Sequence, residues 1–303
     1  MELLTVTCER DIPDLILQIH SMEKFITEPC LHMVAVEDGS KTPDEWLDIL
    51  APLYNRHSLR FFWFERPDMD FSNEILRYSP TAKNGLGGLG WRRQQILKLQ
   101  VTAESAVKDS VLVLDSKNIF VNPVDINAWP VKHGNGKYMT WEQITTSDNR
   151  GWITIKNWMQ HLHDDYGLNI PEKVAMILET PFRWQTDIVK KIWNSYDIPE
   201  MFLNPEHMPN SEFHTYFYFV DPSDYDAETD AICRVMMWSP DENYTDYIQK
   251  GIDFCDVVNS PTHGLHRQTR EEMPAQSLDI YEKWLTDKGL DATLVRNYMT
   301  WCR

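Results

Sequence analysis

Apolar runs and helical stripes alternate along the first part of the chain. Glu2–Cys8 is a short apolar run with the character of a strand. Behind it, with Asp11 as cap, Ile12, Leu15, Ile16 and Ile19 recur at helical spacing, continued by Phe25 or Ile26. Leu31–Val36 is a second apolar run, turned by Glu37-Asp38-Gly39-Ser40. Thr42, Pro43 and Glu45 form a capping box with proline at the first helical position, and Trp46, Leu47, Leu50 and Leu53 make the inner face of that helix. Leu59–Phe64 is a third run. A polar loop then ends in the glycine-rich stretch 84–90, a long helix runs from Gly90 to about Val107, and Val111–Asp115 is an apolar run closing on an acid. Strand and helix alternating in this way predict an α/β fold. Its mostly parallel, Rossmann-like sheet carries helices on both faces, and ligands sit at the carboxyl ends of the strands.

The remainder is less regular. Tyr138–Trp141, Val174–Leu178, Arg234–Trp238 and Asp256–Asn259 read as strands. Ile155, Trp158, Met159, Leu162 and Tyr166 mark one helix by their spacing, and Ile188, Val189, Ile192, Trp193 and Tyr196 mark another. Two amphipathic helices close the chain, the first stopped by Gly289 and the second started by Asp291. With no repeat and no low-complexity linker, residues 1–303 read as one domain, with a regular half over 1–122 and an elaborated half over 123–303.

Composition narrows the function. The chain is 42% hydrophobic and 25% charged, enough to fill a sizeable core. No apolar run approaches the roughly 18 residues of a membrane span. The start, with an acid at Glu2 and a short apolar run, does not read as a signal peptide, so a cytoplasmic location is expected. Five cysteines without a Cys-x-x-Cys pair suit free thiols in a reducing compartment. A net charge of −17 argues against nucleic acid and anionic membrane as partners, but admits a small anion wherever basic residues gather. The twelve tryptophans are core candidates, a few of them possible platforms for sugar rings.

Several places hold candidate chemistry. The loop from Thr7 to Arg10 follows the first strand and precedes a helix start, where a nucleotide is readily held; Arg10 would meet a phosphate or simply be a solvated charge. Asp38 would accept hydrogen bonds from a ribose or uracil edge, or belong to an ordinary Asp-Gly turn. Trp91, Gln95 and Lys98 share one helix face, with Arg92 and Arg93 adding positive charge near the helix start. The glycine run before them is not a dinucleotide fingerprint and reads as a flexible lead-in and candidate lid. Last comes Asp115, with Lys117 and Asn118 just beyond it.

Taken together these stretches resemble glycosyltransferases of the GT-A fold, in particular a bacterial and phage branch with a GW-x-RQQ-x-x-KL helix and a strand ending in Asp-x-Asp. The matching segments are "GWRRQQILKL" (90–99) and "VLVLDSKNIFVNP" (111–123). "NSEFHTYF" (210–217) resembles that branch's Ser-Glu-Tyr segment, and "THGLHR" (262–267) its late histidine. The likeness implies transfer of a sugar from a nucleoside-diphosphate sugar, UDP- or GDP-linked, to an unknown glycan or other acceptor. The half over 1–122 would bind the nucleotide through Thr7, Arg10, Asp38, Arg92, Gln95 and Lys98; the half over 123–303 would bind the acceptor.

The family's Asp-x-Asp holds Mn²⁺ or Mg²⁺ against the diphosphate. Asp115 matches the first acid and Lys117 the second, so the sequence departs from the family at the metal site. A leaving diphosphate needs positive charge, which a lysine ammonium supplies as a compact point charge. Lys117 therefore either replaces the ion or marks a lost site in which it merely pairs with Asp115. The resemblance makes Glu212 the general base, against the plainer reading of an acid at a helix start. It makes His263 or His266 a metal ligand or diphosphate contact, with Arg267 and Arg270 completing a far wall. Two alternatives remain within the fold: a sugar nucleotidyltransferase, and a GT-A-like protein that binds a glycan or partner without catalysis.

Overall fold

The structure, a computed structural model, describes residues 1–37, 39–64, 89–129, 138–148, 150–170, 173–175, 180–203, 211, 215–216, 218–220, 234–237 and 243–300. Asp38, Glu212 and most of the glycine run lie outside the described residues.

The regular half is built as its pattern predicts. Strand β1 (Glu2–Thr7) is buried throughout. Helix α1 (Ile12–Phe25) leads to β2 (Leu31–Glu37), and α2 (Pro43–Leu50) to β3 (Ser58–Phe64). Helix α3 (Leu89–Ser105) leads to β4 (Ser110–Asp115). The Thr42–Glu45 capping box forms, each side chain bonded to the other's backbone N–H. Asp11, by contrast, donates no cap. A 3-10 turn over Glu9–Asp11 precedes α1, and the Asp11 carboxylate instead accepts from the Cys8 thiol at 3.5 Å. Leu47 is 37% exposed, so the inner face of α2 is Trp46 and Leu50 rather than the wider stripe expected.

Two residues of turn follow β4, and the chain then enters β5 (Asn118–Phe120). Beyond it come β6 (Tyr138–Thr140), α4 (Trp141–Thr145), α5 (Arg150–Tyr166), β7 (Lys173–Ala175), β8 (Phe182–Gln185), α6 (Thr186–Ser195) and α7 (Ile198–Leu203). The chain closes with β9 (Arg234–Met237), α8 (Tyr244–Val257), β10 (Thr262–Leu265), α9 (Arg267–Glu272), α10 (Ala275–Asp287) and α11 (Ala292–Thr300). The strand expected at Asp256–Asn259 is instead the last turn of α8. Asn259 takes a left-handed conformation there (φ 50°), and the chain emerges into β10, which carries His263 on a strand rather than a loop.

The main sheet runs β3-β2-β1-β4-β8, parallel except for β8, which pairs antiparallel with β4 at the edge. A strand's side chains alternate between faces, and the cores follow. Leu4, Val6, Met33, Ala35, Val111 and Val113 pack under α3, α6 and α7. Val34 and Val36 pack under α1 and α2, with Leu3, Leu112 and Leu114 on the same face. A second sheet, β5-β10-β9, stands beside the first. The core that holds Leu3, Leu17 and Phe25 of the regular half also holds Ile248, Leu278, Tyr281, Val295 and Tyr298 from the far end of the chain. Gly289 (φ 81°) and Asp291, whose carboxylate accepts from the backbone N–H groups of Thr293 and Leu294, separate α10 from α11 as expected. Among the described residues no helix is long and apolar enough to cross a membrane.

Candidate active site

Asp115 is the last residue of β4, paired across β1 with Val6. Its place in the alternation turns the side chain to the face covered by α3. There it meets the ammonium of Lys98 at 3.1 Å through Oδ1, and that of Lys117 at 3.1 Å through Oδ2. Lys98 is a helix residue only 4% exposed, whereas Lys117 is 20% exposed and Asp115 27%. The helix face of Trp91, Gln95 and Lys98 therefore points inward, and its lysine is there to meet the strand-end acid. Burial alone would raise the Asp115 pKa, but Lys117 and then Lys98 outweigh it and hold the carboxyl well below the usual carboxylate range. Of these three side chains one is an acid and two are bases, so together they carry one unit of positive charge, in a chain whose overall charge is −17.

The backbone of the turn is fixed from several sides. The Asp115 N–H donates to Asn118 Oδ1 at 2.7 Å and to the Thr180 hydroxyl at 3.2 Å. Asn118 Nδ2 donates to the Thr180 carbonyl at 3.0 Å. Gln18 Nε2 donates to the carbonyls of both Asp115, at 2.7 Å, and Asn118, at 3.0 Å. Sequence reasoning missed Gln18. The signal was available: a glutamine among Leu15, Ile19 and Met22 on the buried face of an amphipathic helix needs a polar partner in the core.

The other candidates are distributed as follows. Half-buried His266 lies within electrostatic reach of the centre. Its imidazole is pushed down to about 4, by burial first and then by Lys117, with Asp115 pulling the other way. Thr7 is buried, its hydroxyl without a partner, on the opposite face of the sheet from the Asp115 side chain. Arg10 is 66% exposed, 3.6 Å from Asp11. Near it the Glu9 carboxylate accepts from the Ser40 N–H at 2.9 Å and from the Ser40 hydroxyl, with Lys41 at 3.6 Å; this ties the loop after β1 to the loop after β2. Gln95 is buried and donates to the Trp91 carbonyl at 3.2 Å, leaving its own Oε1 without a partner. Trp91 stacks on Trp158 of α5.

Three further candidates make packing contacts. Arg92 is buried and donates to the Phe202 carbonyl of α7 at 3.1 Å, while its neighbour Arg93 pairs with Glu37 at 2.8 Å. The positive charge of this helix start is thus partly committed to packing. His263 is fully buried, its Nδ1 2.8 Å from the Tyr281 hydroxyl and its ring against Tyr281 and Trp284, and burial pushes its pKa down to about 3. As placed it is a core histidine. Arg270 makes a bidentate pair with Asp14 of α1, at 2.8 and 2.5 Å, and lies over the Tyr298 ring, tying α9 to α1.

The described residues of this centre do not by themselves fit Mn²⁺ or Mg²⁺. Such ions take several oxygen ligands. Here the Asp115 carboxylate faces an ammonium from each oxygen, and a lysine stands in the second acid's place. Among the described residues no group of three His, Cys, Asp or Glu side chains is placed to hold a metal.

No protein-family model matches the chain, and no curated protein matches it in sequence. Solved structures do resemble it. The apo structure of the bifunctional glycosyltransferase WbbM matches with a TM-score of 0.50 at 10% identity, over 99% of this chain and 52% of that one, so this chain spans about half the length of WbbM. The galactosyltransferase LgtC, solved with donor and acceptor sugar analogues, matches with a TM-score of 0.49 at 11% identity, over 95% of this chain and 96% of that one. The glycosyltransferase GlyE of Streptococcus pneumoniae matches with a TM-score of 0.43 at 11% identity, over 98% of this chain and 62% of that one. Identities this low speak to fold alone, and the WbbM likeness carries that point. With its mostly parallel central sheet flanked by helices, the chain has the GT-A fold found in glycosyltransferases.

Proposed function

We propose that the protein transfers a sugar from a nucleoside-diphosphate sugar to an acceptor hydroxyl, and that Lys117 rather than a divalent cation meets the diphosphate. The observation that carries this reading is the strand-end carboxylate held between two ammonium groups at the carboxyl edge of a parallel sheet. Ligands of such sheets bind at that edge. As the bond from the anomeric carbon to the phosphate oxygen breaks, its electron pair passes to the diphosphate, and preorganised positive charge stabilises what leaves. Asp115 orients both ammonium groups, Lys98 from the buried side and Lys117 from the more open one. The acceptor oxygen bonds to the anomeric carbon and gives its proton to a base. Glu212 is the residue proposed for that step, on the resemblance of its segment alone.

A second reading has one specific observation in its favour. The Lys117–Asp115 pair is also what a degenerate site would show, leaving a GT-A-like protein that binds a glycan or a partner. Thermal unfolding with UDP, GDP and nucleotide sugars in EDTA separates the two. A ligand at a hundred times its Kd adds about 2.7 kcal/mol to stability. Metal-free stabilisation by a nucleoside diphosphate, followed by donor hydrolysis, supports the transferase. Stabilisation by no nucleotide favours the binding protein, and strict dependence on Mn²⁺ refutes the role given to Lys117.

A further inference from the structure

Beneath the main sheet's α1 face runs a line of polar side chains in an otherwise apolar layer. The Tyr54 hydroxyl stands 2.7 Å from His32 Nδ1, His32 Nε2 stands 2.9 Å from the Thr5 hydroxyl, and that hydroxyl stands 2.8 Å from Gln18 Oε1. Thr5, Gln18 and His32 are each 0% exposed. Most buried polar groups are hydrogen-bonded, and here each of these four side chains has its partner.

We infer that Gln18 is a positioning residue for the turn that carries Lys117, and that a one-way chain of hydrogen bonds from Tyr54 through His32 and Thr5 holds its amide in the single orientation that grips this turn. The direction follows from donors and acceptors alone. Gln18 faces two carbonyl oxygens, Asp115 and Asn118, so the atom facing them must be the NH₂. Its Oε1 then accepts, and only the Thr5 hydroxyl is placed to donate to it. With its one proton committed, the Thr5 oxygen accepts from His32 Nε2–H. His32 Nδ1 is left bare and accepts from Tyr54. The imidazole is thereby fixed as the neutral Nε2–H tautomer. Burial, which pushes its pKa down to about 3, acts in the same sense.

What this chain grips matters. Gln18 ties the first and last residues of the Asp115–Asn118 segment from below, and Lys117 lies between them. An amide turned the other way would set its oxygen against both carbonyls and push the segment off the helix. The inference deepens the proposal that this turn meets a diphosphate, and rests on it for its functional meaning.

The test uses the full chain, with inorganic pyrophosphate as probe in EDTA and hydrogen exchange at the 115–118 amides as a readout that needs no ligand. Gln18→Leu removes the grip. Thr5→Val removes the donor that orients it, and Thr5→Ser restores that donor. Thr186→Val is the stability control, because it deletes one buried hydrogen bond, to the Lys108 carbonyl, at the opposite end of β4. The expected result is a loss of pyrophosphate affinity of about tenfold or more in Gln18→Leu and Thr5→Val. Faster exchange at 115–118 should accompany it, Thr5→Ser and Thr186→Val should stay close to the parent, and nitrogen NMR should show His32 as the Nε2–H tautomer. Unchanged exchange and affinity in both losing variants, or a His32 Nδ1–H tautomer, overturns the inference. If the parent binds no pyrophosphate, the diphosphate reading falls by itself. The positioning of the turn is then decided by the exchange data, where no difference between Thr5→Val and Thr186→Val would overturn it.

Discussion

Replacing Lys117 with alanine should separate diphosphate recognition from nucleoside recognition. The substitution takes one unit of positive charge from the Lys98–Asp115–Lys117 trio and keeps the Lys98–Asp115 pair. A phosphate oxygen about 4 Å from an ammonium gains about 1 kcal/mol in bulk water and about 4 kcal/mol at the effective dielectric near a protein surface. Lys117 is 20% exposed, between those limits. The expected loss is thus about 1–3 kcal/mol, or about five- to 150-fold in Kd. Calorimetry with UDP and GDP in EDTA should record it, while uridine and guanosine change by less than about twofold, since they carry no phosphate. Raising the salt should shrink the difference, because a charge this exposed is screened. Lys117→Arg should keep most of the affinity. The reasoning fails if nucleoside and diphosphate lose affinity together, or if neither does.

Two other substitutions test the frame around the site. His32 and His263 are buried and neutral, with burial holding both pKa values at about 3 against an ordinary 6.5. Below pH 6.5 the unfolded chain binds protons that the native one refuses until about pH 3, so stability should fall as the pH falls through that window, by about 1.4 kcal/mol per pH unit for each histidine. His263→Phe should flatten the slope between pH 7 and 5 in urea titrations, and an unchanged slope would show that the native ring takes up its proton as readily as the unfolded one. Arg270→Met strands the Asp14 carboxylate in the core and should cost about 3–5 kcal/mol. Adding Asp14→Leu should recover much of that in the same titrations, and a double variant no better than the single would deny that the pair is the cause.

How legible all this was depends on what held each segment in place. The regular half was readable because β1, β2 and β4 are buried on both faces and read as apolar runs, and because local chemistry sets its boundaries, as at Thr42–Glu45. Asp115 could be placed for the same reason: an apolar run that ends on an acid marks a strand's end. The short strands beyond are set by partners remote in sequence. Among the described residues β8 pairs with β4, and β10 with β5 and β9, and neither carries a long enough alternation to stand out. Val257 and Val258 suggested a strand because two β-branched residues meet at the end of a helix whose apolar stripe is sparse. At the site, charge type was legible and direction was not. Lys98 was identified by its helix face, but only the fold shows that this face looks at Asp115, that Arg92 looks at Phe202, and that His263 looks at Tyr281.

The two-residue turn at Ser116–Lys117 has an architectural consequence. It joins strands of different sheets, with β4 in the five-stranded sheet and β5 in the sheet completed by β10 and β9. The lysine's position is therefore a joint property of both sheets. Truncating the chain after Pro123 would remove β10, the only partner of β5. It would also strip from α1 the cover supplied by Tyr281, Val295 and Tyr298, together with the Arg270 that neutralises Asp14. A fragment cut from the front of this molecule should therefore not hold Lys117 in place, whereas one that extends to α11 keeps these contacts. Separated pieces should regain the centre only by reassembling with each other.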